Sequence, residues 1–266
     1  MDSLVDLQAD VRVSQWFLMS SPLPTLVVVA VYLMVATLGP RVMRNFHSLD
    51  LKSAMIFYNL SLVLLSAYIL YEFLMSTWRN PKFELLCLQF DSSTQDLPMR
   101  LLGACWWFYF SKLIELIDTV FFVLRKKTNQ ITFLHVYHHA TMPLLWWLGV
   151  KYAGGGEVYF PPSFNSGVHV LMYLYYLLAA LGPALRPYLW WKRYLTSLQL
   201  VQFCLVILKI IASMCVGCGY PPIFQYVTIS YMTSHIVLFT KFYYQTYKMP
   251  ANDLRVGETP ARSKDD

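Results

Sequence analysis

Four short stretches carry ionisable and amide side chains in an otherwise greasy chain, each at a helical spacing. Lys112-Leu-Ile-Glu115-Leu-Ile-Asp118-Thr119 places polar groups at steps of three. His135-Val-Tyr-His138-His139 sets three imidazoles at i, i+3 and i+4. Asn165, His169, Tyr173 and Tyr176 follow at steps of four, four and three, and Thr196, Gln199 and Gln202 at steps of three. On an α-helix each of these spacings lines one face. Three chemistries fit such residues. Imidazole is a nucleophile as well as a base, so one histidine could take an acyl group from a thioester while a second manages the proton. A carboxylate beside it would fix its tautomer, and Asn165 and the glutamine pair could stabilise an oxyanion or enolate. No cysteine lies on a polar stripe, which argues against a thiol nucleophile. A second chemistry is metal-based: His135, His138, His139 and His169 could hold one ion, since i, i+4 histidines chelate zinc. The third is a seven-helix receptor or a proton-coupled carrier.

The elements that must hold these residues follow from composition. Of 266 residues, 57% are hydrophobic, 17% aromatic and only 14% charged, against about 45–50% apolar and about 25% charged in ordinary globular domains. A soluble fold of this length could not bury so much apolar surface. The net charge of +6 sits in short basic groups between apolar runs, which disfavours a nucleic-acid surface. The expected fold class is an all-α integral membrane protein. Seven stretches reach the roughly 20 apolar residues that a spanning helix needs: 22–39, 54–76, 101–124, 131–150, 163–182, 194–217 and 222–246. Pro22, Pro24, Pro40, Pro183, Pro187, Pro221 and Pro222 fall at their ends, where proline is tolerated. One transmembrane domain over 22–247 is expected, preceded by a luminal segment 1–21 and followed by a cytosolic tail 248–266.

Lys and Arg set the orientation. Arg41, Arg44 and Lys52, then Arg125, Lys126 and Lys127, then Arg186, Lys192 and Arg193, and in the tail Lys248, Arg255, Arg262 and Lys264, make thirteen on one side. The other side has five: Arg12, Arg79, Lys82, Arg100 and Lys151. The C-terminus is therefore expected in the cytosol and the N-terminus opposite. Asp2, Asp6 and Asp10 beside a lone Arg12 do not read as a secretory signal. Counted from the cytosolic ends at 1.5 Å per residue, Asp118 lies about 9 Å deep, His138 and Gln202 about 12 Å, Lys112 about 18 Å and His169 about 20 Å. Helices of opposite direction thus place their polar stripes in one layer, which predicts a single chamber in the cytosolic half. A receptor's ligand chamber would open to the other side. The five cysteines show no framework, and Cys215-Val-Gly-Cys218 reads as loop punctuation. Lys209 and His235 are intramembrane with no evident partner, and Pro143 either frees the His139 carbonyl or kinks its helix.

Together and in order, the four stretches resemble the very-long-chain fatty acid elongases of the endoplasmic reticulum, the membrane 3-oxoacyl-CoA synthases. The pattern stands here as Lys112-x-x-Glu115-x-x-Asp118-Thr119, Gln130-x-x-Phe133-Leu134-His135-x-x-His138-His139, Asn165-x-x-x-His169-x-x-Met172-Tyr173-x-Tyr175-Tyr176 and Thr196-x-x-Gln199-x-x-Gln202-Phe203. All four blocks are intact, and the resemblance spans most of residues 16–247. Six histidines in all, with His47 in a loop, are also fewer than the di-iron desaturases carry.

The resemblance implies condensation of a long-chain acyl-CoA with malonyl-CoA to 3-oxoacyl-CoA, CO₂ and CoA, with no bound cofactor and no metal. It implies that spanning helices two to seven form a barrel-like bundle around an acyl tunnel, with the first helix outside. His138 is expected to carry the acyl group, His169 and Asn165 to face the developing charge, and His135 and His139 to orient the site. Asp118 or Glu115, with Lys112 beside them, is expected to fix an imidazole proton. Gln199, Gln202, Tyr173 and Tyr176 are expected along the substrate passage. Arg125, Lys126, Lys127, Lys192, Arg193 and Lys248 are expected around the mouth, for CoA phosphates or for topology alone. Expected partners are the ketoreductase, dehydratase and enoyl reductase of the elongation cycle, in the endoplasmic reticulum membrane, and a homodimer is compatible with the sequence. The tail Arg262-Ser-Lys264-Asp-Asp266 resembles a basic retrieval signal.

Overall fold

The computed structural model describes residues 8–81, 83–218 and 220–248. Lys82, Asp2, Asp6 and the tail residues Arg255, Arg262 and Lys264 lie outside the described residues. Among those described there are eight α-helices and no strand: α1 Leu23–Val42, α2 Lys52–Trp78, α3 Asp96–Ile114, α4 Ile117–Leu124, α5 Phe133–Ala153, α6 Phe160–Leu181, α7 Lys192–Cys215 and α8 Pro222–Tyr247. Six of the seven expected stretches are each one helix. Pro40 does not end the first; α1 runs through it to Val42. Nor does Pro143 interrupt α5, which begins with the Thr132 hydroxyl accepting from the His135 N–H at 3.3 Å.

The third stretch is broken. At Glu115–Leu116 the backbone tightens: Leu116, Asp118 and Thr119 donate to Leu113, Glu115 and Leu116, three residues back instead of four. The Ile114 carbonyl loses its helical donor, Asp118, and accepts instead from the Tyr58 hydroxyl of α2 at 3.3 Å. In a membrane such a freed group must find a partner within the protein. A 3₁₀ turn rises about 2.0 Å per residue and eclipses i with i+3, so it aligns Glu115 with Asp118 about 6 Å apart. That is also the rise of a four-residue step on a neighbouring α-helix.

Among the described residues four segments are long and apolar enough to cross a membrane: Leu23–Asn45, Lys52–Trp78, Gly156–Leu181 and Lys192–Cys215. The remaining stretches fall short on the same measure because α3 is broken and polar at its ends, α5 carries the imidazole triplet, and α8 is rich in Tyr, Thr and Gln. Large apolar side chains face outward, among them Leu26, Val27, Phe57, Leu64, Leu208 and Val237. A water-soluble monomer would not expose so many together. The chain is a multi-pass membrane protein.

Neighbouring helices fix where the polar stripes meet. α2 packs on α3 and α6, α3 on α5, α5 on α8, α8 on α7, and α7 on α6, while α1 lies against α4 and α5. At one end of the molecule the N-terminal segment is tied down: Asp10 N–H donates to the Lys151 carbonyl, and the Trp106 and Trp147 indoles donate to Phe17 and Leu18 carbonyls. At this same end Cys87, between α2 and α3, is disulfide-bonded to Cys218, between α7 and α8. Reading Cys215-Val-Gly-Cys218 as punctuation is thereby corrected. The partner of Cys218 lies 131 residues away, beyond the reach of spacing arguments.

Candidate functional site

α3, α4 and α6 interlock through polar side chains. Steps of three on α3–α4 (Lys112, Glu115, Asp118) meet steps of four on α6 (Asn165, His169, Tyr173), and the 3₁₀ turn brings the two rises into register. Lys112 Nζ donates to Glu115 Oε1 at 2.8 Å and to Asn165 Oδ1 at 3.2 Å, and lies 3.4 Å from His169 Nδ1. Glu115 Oε1 is 3.2 Å from the same Nδ1. A carboxylate only accepts and an ammonium only donates, so Nδ1 of His169 meets one of each, the carboxylate being the nearer. Lys112 also sits 4.4 Å from the centre of the Phe108 ring. Because Lys112 only donates, it fixes Asn165 with its oxygen inward, leaving the NH₂ as the free donor.

Asp118, the other carboxylate, has a different partner. Its Oδ2 accepts from the Tyr173 hydroxyl at 3.0 Å, and no imidazole is bonded to it among the described residues. Of the two carboxylates offered by sequence, Glu115 holds a histidine and Asp118 holds a tyrosine. Tyr173 is fully buried in this bond, whereas Tyr176 is 40% exposed and touches it edge-on.

The imidazole triplet divides. His135 Nε2 is 2.7 Å from Thr119 Oγ1, and its ring lies 4.2 Å from that of His139. Tyr32 of α1 closes this side, its hydroxyl 3.4 Å from Thr119 Oγ1 and its ring 6.2 Å from His139. His138 turns instead toward α6, α7 and α8. It lines a small cavity of ≈ 30 Å³ with Asn165, Gln202 and His235. Gln202 is buried and its Oε1 has no partner among the described residues. Gln199 does not reach this cavity; its amide contacts Met172 Sδ at 3.8 Å.

Below His138 the walls turn apolar. A larger cavity of ≈ 260 Å³ runs between α5, α6, α7 and α8, and shares Met142, Trp146, Pro161, Tyr231 and Met232 with the small one. Its far end holds Glu157, Lys209, Ser213 and Tyr220. Lys209, which had no partner in the sequence, is ion-paired with Glu157 and donates to the Leu86 carbonyl.

The basic residues sit at helix ends. Arg125 follows α4, with Lys126 and Lys127 exposed beyond it; Lys192 and Arg193 open α7, and Lys248 closes α8. Lys126 donates to the Arg44 carbonyl at 3.5 Å, and Arg193 stacks on Tyr194. Sequence reasoning noticed His235 but could not place it. Tyr58 and Tyr32 it missed, since a lone tyrosine in an aromatic-rich chain carries no signal.

The profile of the GNS1/SUR4 (ELO) family matches residues 17–254. The chain belongs to the ELO family. Among curated relatives, very long chain fatty acid elongase 7 of Rattus norvegicus is 50% identical over 242 residues, 90% of this chain and 86% of that protein. Very long chain fatty acid elongase 4 of Homo sapiens is 45% identical over 242 residues, 91% of this chain and 77% of its own length. Elongase 5 of Rattus norvegicus is 46% identical over 238 residues, 90% of this chain and 79% of its length. The ELO match takes in all four polar blocks, from Lys112 to Gln202.

Proposed function

We propose that this ELO protein is a very-long-chain 3-oxoacyl-CoA synthase, condensing an acyl-CoA with malonyl-CoA in the first step of fatty acid elongation, through an acyl group carried on His138. Family membership and the named relatives support the reaction. The observation that carries the chemistry is the position of His138, which stands in a polar niche with Asn165 and Gln202 that shares walls with a larger apolar cavity. An acyl chain gains about 0.8 kcal/mol per CH₂ on leaving water for such a lining, and its thioester then lies beside the imidazole.

The first half-reaction transfers the acyl group from sulfur to a His138 nitrogen and releases CoA. Malonyl-CoA then enters and loses CO₂, and the enolate carbon attacks the acyl carbon and displaces His138. The Asn165 NH₂, held outward by Lys112, is the donor for the developing oxyanion. His169, its Nδ1 held by Glu115, offers Nε2 to the same region. His135 and His139, braced by Thr119 and Tyr32, support the helix face that presents His138.

The helix neighbours close a ring in the order α2, α3–α4, α5, α8, α7, α6 and back to α2, which supports a barrel of six spans with α1 outside and seven crossings in all. The basic loops belong to the cytosolic mouth, where anionic CoA arrives. The Cys87–Cys218 disulfide belongs to the opposite, luminal side, as disulfides persist in the lumen of the endoplasmic reticulum. The ketoreductase, dehydratase and enoyl reductase of the cycle are the expected partners, and a homodimer is the expected assembly if two copies associate.

The test is mass spectrometry of purified protein exposed to acyl-CoA without malonyl-CoA. An acyl adduct on His138, discharged on adding malonyl-CoA, is expected. Adduct formation that persists in His138→Ala discards the assignment. Chelators are expected to leave activity unchanged; a loss restored by zinc or iron would favour the metal-centred reading of the histidines.

A further inference from the structure

We propose that His235 of α8 is the proton carrier of the acyl-transfer step, an inference that rests on the acyl-His138 reading above. His235 is 1% exposed. Its Nδ1 lies 2.9 Å from the Tyr231 carbonyl, and a carbonyl oxygen only accepts, so Nδ1 bears the proton and Nε2 the lone pair. That Nε2 has no partner among the described residues, and the same is true of Gln202 Oε1. Both residues line the small cavity beside His138, whose ring lies 5.5 Å from that of His235 in an edge-to-face arrangement.

Two buried acceptors facing one niche leave two groups unsatisfied, a cost proteins ordinarily avoid. One added proton makes His235 Nε2 a donor in the niche that also holds the Gln202 Oε1 acceptor, while Nδ1–H keeps the Tyr231 carbonyl. Aromatic rings enclose His235. Rings of Tyr231, Tyr137 and Phe203 stand 4.2, 5.5 and 5.5 Å away, within the range over which aromatic faces attract cations. The groups facing His235 are His138 and Tyr137 from α5, Gln202 and Phe203 from α7, and Tyr231, Ser234 and Phe239 on α8 itself. None of them carries a fixed charge. With no counter-charge at hand, the buried imidazole rests neutral and takes a proton only in passing.

Acyl transfer supplies the proton. Neutral His138 attacks the thioester carbon, the C–S bond breaks, and its electron pair leaves with CoA as thiolate. The new C–N bond leaves His138 one proton in excess, which passes to His235 Nε2 directly or across one water. In the second half-reaction the malonyl C–C bond breaks, CO₂ departs, and the enolate forms a C–C bond to the acyl carbon. The C–N bond breaks with its pair on His138, and His235 returns the proton. The thiolate released earlier is protonated by water, so the cycle balances.

The experiment uses the full-length protein in lipid nanodiscs. In His235→Phe, kcat is expected to fall on the order of 10²-fold with both KM values little changed. Adduct formation without malonyl-CoA should slow by a similar factor, and the acidic limb of the kcat–pH profile should disappear. In His235→Ala, added imidazole should restore turnover several-fold, with substituted imidazoles ranked by basicity. Wild-type kcat and pH profile in His235→Phe, or a slow variant with an unchanged profile that imidazole does not rescue, overturns the proposal. Where the Phe variant does not fold, Gln202→Leu replaces it: an adduct rate at least threefold slower is expected, and a wild-type rate overturns the proposal. No adduct in the wild type would sink the acyl-His138 reading itself; adduct at equal rates in wild type and His235→Phe would sink only the carrier.

Discussion

Two lysine–glutamate pairs are buried among the described residues, and they do opposite jobs. Lys112, in the last turn of α3, pairs with Glu115 three residues on at its C-cap, and both partners still have something to offer: Glu115 holds His169, and Lys112 holds Asn165. Lys209–Glu157 bridges α7 to the segment before α6, and its remaining capacity goes to backbone, with the Leu86 carbonyl on Lys209 and the Leu88 N–H at 2.5 Å on Glu157. Beside it the Cys87–Cys218 bond ties the two loops that end there. One pair arms side chains; the other fastens loops over the end of the apolar cavity. Residue type and burial are the same in both, and the difference lies in what occupies the remaining hydrogen-bonding positions.

Breaking each side should therefore show in different measurements. The largest effect belongs to His138→Ala: condensation and acyl adduct are both expected to vanish, a loss of about 10³-fold or more, as for an essential nucleophile. Glu115→Gln keeps the shape but loosens the hold on His169, and kcat should fall about 10²-fold, within the range of acid–base roles, with thermal stability less affected than turnover. Asp118→Asn should fall less, about tenfold or under, since it loosens contacts to tyrosine and none to an imidazole. An Asp118→Asn defect that exceeds Glu115→Gln would reverse the assignment of the two carboxylates.

At the other end, Cys87→Ser with Cys218→Ser should lower stability by about 2–5 kcal/mol, read as a lower unfolding midpoint in detergent. Protein that remains folded should turn over substrate at close to the wild-type rate. A loss of kcat without a stability change would erase the contrast between the two ends. The smallest effect is expected for Tyr32→Phe on α1, which removes one long hydrogen bond to Thr119 and should cost about 1 kcal/mol or less.

Much of the site was legible because its signals are local. The steps from Lys112 to Asp118, and those of His135, His138 and His139, each put their residues on a face whatever the rest of the chain does. What escaped was pairing. The choice of Glu115 over Asp118 for His169 depends on a 3₁₀ turn whose freed carbonyl accepts from the hydroxyl of Tyr58, 56 residues away. Gln199 and Gln202 share a stripe, yet one meets Met172 and the other a cavity, a divergence that only the neighbouring α6 and α8 could decide.

The linear chain alone settled the membrane class, the order of the polar stripes and the family, since composition, helical periodicity and motif order need no long-range contact. Only the packed molecule decided that Cys218 pairs with Cys87, that Lys209 answers Glu157, that His138 parts company with its two neighbours, and that His235 joins it. Each of those choices is a distance between residues far apart in sequence. Such distances come into being only when whole helices dock and every buried polar atom must find a partner or go without.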